Sequence, residues 1–153
     1  MRLLVDAHQD LAWNALSFGR DYSLTTAEIR QQEAGGQTPL INGDTLLGWD
    51  AYQRGRVAVV FATLFAAPLR AHSHADLSHY YANPDQAYTL YRRQVDHYLR
   101  LFEQHPEKFQ PVGSQEQLSH LLAKWQIPVP QPSPAHTPAS PVGLVLLMEG
   151  AEG

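Results

Sequence analysis

The chain has 153 residues, 44% of them hydrophobic, and a formal charge of −4 from 15 acidic and 11 basic side chains; this is enough polypeptide for one packed domain. The Lys and Arg residues are scattered and outnumbered, which argues against a nucleic-acid surface. The absence of cysteine excludes disulfides and thiol nucleophiles, so any metal has to be held by His, Asp or Glu.

The chain opens on an apolar run, Leu3-Leu4-Val5, that leads into Asp6-Ala7-His8-Gln9-Asp10. In a strand, alternation puts His8 and Asp10 on one face, one pleat apart. An imidazole nitrogen and a carboxylate oxygen side by side are ligand types that zinc accepts. The structural alternative is a core histidine followed by an aspartate that caps the next element. Met1 leaves no room for a signal peptide before this strand, and no run approaches the ~18 apolar residues of a membrane span, so a cytoplasmic protein without a membrane partner is expected.

Residues 11–19 are apolar without clean alternation. Thr25 or Thr26 can cap a helix to Ala34, with Glu28 in its first turn and Gly35-Gly36 at its end. Residues 37–43 read as a loop around Pro39, Asn42 and Gly43. Asp44 can cap a helix from Thr45 to about Gln53 that Gly55 closes, and Val57 to Phe65 reads as a strand buried on both faces. Residues 66–83 are irregular, and His72, His74 and His79 read as loop histidines because no regular element fixes their rings.

Asn83-Pro84 opens a long helix from Asp85 to about His105, with Ala87, Tyr88, Tyr91, Val95, Tyr98, Leu99 and Phe102 as its buried stripe. Its tyrosines, at helical spacing, read as core. Ser114 and Gln117 match a capping box for a helix to about Gln126. Residues 127–141 hold six prolines in fifteen positions and read as a surface insertion, with a Pro-rich ligand segment as the alternative. A strand from Leu144 ends at Glu149.

The order strand, helices, strand, helices, strand builds a parallel sheet with right-handed crossovers. Its strands present their C-terminal ends on one side, where α/β folds carry their chemistry. His8, Asp10 and Glu149 are therefore expected on one rim. A carboxylate that ends an apolar run is costly to ionise unless paired or coordinated, which favours Glu149 as a third ligand over a merely solvated end. Nucleotide-binding glycine motifs and a nucleophile elbow are absent from the sequence.

Asp6-Ala7-His8-Gln9-Asp10-Leu11-Ala12-Trp13 resembles the opening motif of the renal (membrane) dipeptidase family of the amidohydrolase superfamily. Leu147-Met148-Glu149-Gly150 resembles that family's Glu-Gly motif, and Gly55 to Phe65 its second strand. The resemblance implies that residues 1–153 are the N-terminal portion of a single metallo-dependent hydrolase domain. It would comprise the first three βα units of an eight-stranded parallel TIM-type barrel, incomplete in this chain. It also implies two zinc ions, with His8 and Asp10 as ligands of the more buried one and Glu149 as the bridging carboxylate. A metal-bound hydroxide would hydrolyse dipeptides, Trp13 would line the substrate pocket, and the remaining ligands and catalytic residues would lie beyond Gly153. The family commonly has Gly and Asn where Ala7 and Gln9 stand, a difference that bears on substrate. On this reading the fragment alone is inactive and has an open sheet edge that invites association, including a homodimer. The alternatives are another amidohydrolase reaction, deacylation or lactone hydrolysis, and a non-catalytic module with a structural His-x-Asp.

Overall fold

The opening apolar run forms β1 (Leu4–Gln9) and turns at Asp10 into α1 (Leu11–Phe18), which ends at Gly19 with φ 70°. The computed structural model describes residues 2–69, 80–126 and 140–149. The sequence period did not mark α1. Its helicity rests on tertiary contacts instead: Leu11 and Ala12 are fully buried, and the Ala12 N–H donates to the Tyr98 hydroxyl 86 residues away.

α2 (Thr26–Glu33) starts where expected, with Thr25 as the cap of the two candidate threonines and Glu28 closing a reciprocal capping box with it. Residues expected as loop contain instead the short helix α3 (Thr38–Asn42), with Pro39 in its first turn, where a missing N–H does no harm. The next helix also departs from expectation. α4 (Trp49–Gly55) begins four residues after Thr45, with Gly48 rather than Asp44 at its N-cap. Thr45 is held outside the helix by its hydroxyl, which donates to the Leu47 carbonyl at 2.8 Å. Gly48 lies so close to the Thr25–Thr26 backbone that a Cβ there would sit 2.4 Å from the Thr26 nitrogen. Gly55 is still helical, and Arg56 takes the left-handed conformation (φ 51°). Arg56 is anchored there by its guanidinium, which donates to the Trp125 carbonyl at 3.2 Å and lies over the Trp125 ring.

β2 (Val57–Phe65) is buried on both faces through its middle, as its unbroken apolar run implies. The two-residue strands β3 (Ala67–Pro68) and β4 (Tyr80–Tyr81) pair in parallel; His72, His74 and His79 between them lie outside the described residues. α5 (Pro84–Gln104) is capped by the Asn83 side chain. Its buried positions are Gln94, Tyr98 and Leu101, while Tyr88 and Leu99, expected in the stripe, are 69% and 47% exposed. The stripe is rotated because Gln94, a polar residue that a hydrophobic pattern skips, points at the sheet and bonds both backbone groups of Phe65.

An unanticipated strand, β5 (Phe109–Pro111), precedes α6 (Gln115–Gln126). At the start of α6, Ser114 accepts from the Gln117 N–H, but Gln117 accepts from Gly113 instead of closing the reciprocal half of the box. The Pro-rich expectation falls almost wholly on residues 127–139, outside the described residues. β6 (Val142–Glu149) follows.

The sheet has four strands in the order β1-β2-β6-β5, and every neighbouring pair is parallel. The expected three-strand order therefore holds, with β5 added at the edge beyond β6. The molecule is α/β, and Leu11, Ile29, Tyr52, Tyr98, Phe109, Leu121 and Leu144 are the largest fully buried apolar side chains of its core. Among the described residues no helix is long and apolar enough to cross a membrane.

A candidate metal centre at the strand ends

β2 and β6 run in register, with Thr63 opposite Leu147 and Phe65 opposite Glu149. In a parallel pair such partners share a face, so Glu149 lies on the Thr63 face at the C-terminal end of the sheet. β1 reaches the same place by an irregular route. Between Asp6 and Gln9 its register against β2 slips. Asp10 has already left the strand and stands at the N-cap of α1 with φ −85° and ψ 54°. His8 and Asp10 are thus brought together by a bulged strand end and a strand-to-helix corner, not by the regular pleat that the sequence suggests.

His8, Asp10 and Glu149 each present one ligand atom, and these atoms lie within 4.8 Å of one another. His8 Nε2 is 3.5 Å from Asp10 Oδ1 and 3.6 Å from Glu149 Oε2. Both separations are longer than ordinary N–H···O hydrogen bonds. They match the spacing of two ligands around one ion: donors about 2.0–2.2 Å from a tetrahedral centre are about 3.3–3.6 Å apart. One imidazole and two carboxylates also form a donor set suited to zinc-like ions. The side chains are 50%, 35% and 43% exposed, so the cluster is open to solvent.

The capping alternative for Asp10 fails on geometry, since its side chain makes no cap hydrogen bond. Its Oδ1 instead accepts from the Thr63 hydroxyl, which also meets the Gln9 carbonyl at 3.2 Å. Its backbone carbonyl accepts from both the main chain and the side chain of Asn14. His8 is anchored through its peptide. Its N–H donates to Asp6 Oδ1 at 3.1 Å, and Asp6 Oδ2 accepts from Gln9 Nε2 at 2.7 Å. The Gln9 Oε1 in turn accepts from the buried Tyr52 hydroxyl at 2.6 Å. Burial pushes the Tyr52 phenol far up, which keeps it a neutral donor. Gln9 thereby links the two candidate ligands to the core.

α5 fixes the other strand ends. The Tyr91 hydroxyl donates to the Glu149 carbonyl at 2.6 Å. Gln94 bonds Phe65 at 2.8 Å and 2.6 Å. The Tyr98 hydroxyl accepts from Ala12 N–H at 3.1 Å and donates to the Thr63 carbonyl at 3.0 Å. Burial raises both tyrosine pKa values above the usual phenol range, so both stay protonated and able to donate. Sequence reasoning placed these tyrosines in the core and did not foresee their polar task. Trp13, expected at a substrate pocket, is half-buried on α1 with its ring edge-on to Phe18, centroids 5.4 Å apart. No protein-family model, curated protein or solved structure matches this chain.

Proposed function

We propose that this chain supplies part of the metal centre of a zinc-dependent hydrolase of the renal dipeptidase type, acting on dipeptides. The observation that carries the reading is the convergence of His8, Asp10 and Glu149 at ligand-to-ligand spacing on one end of a parallel sheet. In this assignment His8 and Asp10 would be ligands of one zinc ion and Glu149 a carboxylate shared with a second, with further ligands supplied from outside the described residues. Zinc in such a site contributes Lewis acidity towards the scissile carbonyl and lowers the pKa of water to near neutrality.

The chain's own residues hold that site in place. Thr63 holds Asp10, the Asp6–Gln9–Tyr52 chain holds the His8 peptide, and Tyr91 holds the Glu149 backbone. Trp13, the third residue of α1, is assigned to the substrate side by the resemblance of the Asp6–Trp13 stretch to the dipeptidase motif alone. Parallel sheets are ordinarily covered on both faces, yet Val5, Leu146, Leu147 and Met148 are 61%, 38%, 38% and 53% exposed. Further strands closing a TIM-type barrel would cover them and bring the missing ligands to the same rim.

The test is hydrolysis of a dipeptide panel by the full-length protein, with acylated amino acids and lactones as competing substrates. Dipeptide turnover that is lost on chelation, restored by Zn²⁺ and abolished in His8→Ala supports the reading. Chelator-resistant dipeptide turnover, or turnover confined to lactones or acylated amino acids, refutes it.

A further inference from the structure

The first turn of α1 has an unusual arrangement at its N-terminus. Helix N-termini leave their first N–H groups without intrahelical partners, and an aspartate at the N-cap normally supplies the acceptor. Asp10 occupies that position but makes no cap bond. The Ala12 N–H, at the second helical position, is satisfied instead by the Tyr98 hydroxyl at 3.1 Å. Tyr98 is fully buried and comes from α5, 86 residues along the chain. The same hydroxyl spends its proton on the Thr63 carbonyl at 3.0 Å, and the Thr63 side chain is the donor that holds Asp10 Oδ1. One phenol therefore removes the helix's claim on the Asp10 carboxylate and fixes the residue that turns it towards His8.

We infer that Tyr98 is a positioning residue for the metal centre, acting as a surrogate helix cap that frees the Asp10 carboxylate to serve as a ligand. The inference rests on the metal reading above and deepens it. Without the hydroxyl, the orphaned Ala12 N–H competes for the Asp10 carboxylate, which then caps its own helix and leaves the site. Thr63 works in series, so loss of its hydroxyl has the same outcome by a shorter route. A residue that only filled the core would behave differently: its loss would lower stability and leave the metal site unchanged.

The experiment is Co²⁺ titration of the full-length protein, followed by visible absorption, with thermal melting of the metal-free form. Outer-shell hydrogen bonds to metal ligands typically carry about 10–100-fold in affinity, and that loss is expected in both Tyr98→Phe and Thr63→Val. Thr63→Ser keeps the hydroxyl and is expected to stay near wild type. In an Asp10→Ala background, Tyr98→Phe should weaken Co²⁺ binding no further. The metal-free melting point of the single Tyr98→Phe variant, which retains Asp10, should fall by only about 2–4 °C, because Asp10 takes over the cap. Wild-type affinity and spectrum in Tyr98→Phe, or an equal loss with and without Asp10, would overturn the role of Tyr98. A wild-type protein that takes up no Co²⁺ would overturn the metal centre itself and this role with it.

Discussion

The Arg20–Glu33 pair gives the most quantitative test of the scaffold around α1. The two side chains are 5% and 7% exposed, and Arg20 Nε meets Glu33 Oε1 at 2.6 Å. Arg20 Nη2 adds a bond to Glu33 Oε2 at 3.2 Å and another to the Gly43 carbonyl at 2.6 Å. The guanidinium thus ties the end of α1 to α2 and to the turn after α3. Arg20→Met removes the cation and leaves the Glu33 carboxylate buried and uncompensated, a change that costs about 3–5 kcal/mol. For a domain of this size each kcal/mol is worth about 2–4 °C, so the melting point should fall by about 6–20 °C. Replacing both partners, Arg20→Met with Glu33→Leu, should recover most of the loss, since an apolar pair carries no stranded charge. Urea unfolding at pH 7 on the two variants measures both terms. A single variant within about 1 kcal/mol of wild type would refute the reasoning.

Other outcomes follow from packing and titration. Gly143 is buried where a Cβ would lie 2.5 Å from Leu121 Cδ2 and 2.7 Å from Val112 Cγ2, so Gly143→Ala should lose about 1–3 kcal/mol in urea unfolding. A Tyr98-independent check of the core is His97, whose pKa is lowered first by burial and then by Arg100, with Asp21 opposing. Its unfolded value is the higher one, near 6.5, so the unfolded chain takes up the proton first as pH falls. The stability that neutral His97 contributes is therefore full above about pH 6.5 and is lost as pH drops below it. Melting the metal-free protein between pH 8 and pH 5 should show a shallower acid loss in His97→Phe than in wild type. Identical slopes would mean that His97 is not held neutral.

What the sequence makes legible here is what is local. The threonine cap of α2, the buried run of β2 and the length of α5 all follow from residues within a few positions of one another. The trio itself was reachable because His8 and Asp10 sit at the end of one apolar run and Glu149 at the end of another, and strand order does the rest. The misses have long-range causes. α1 depends on a tyrosine 86 residues away, and the start of α4 is set by the contact of Gly48 with Thr25–Thr26. The stripe of α5 is turned by Gln94, whose partners are the backbone groups of Phe65. Hydrophobic periodicity cannot register a polar side chain buried against main-chain atoms, and Tyr91 and Tyr98 passed as core for the same reason. The resemblance to a dipeptidase motif pointed to His8, Asp10 and Glu149, but not to the hydrogen bonds that aim them.

The central claim is that these three side chains bind a metal ion together. The direct measurement is the affinity of the full-length protein for Zn²⁺ by competition with a chromophoric chelator, for wild type, His8→Ala, Asp10→Ala and Glu149→Gln. Each substitution should weaken binding by at least about 10-fold, the lower end of what even an outer-shell change removes. Wild-type affinity in all three variants would contradict the account.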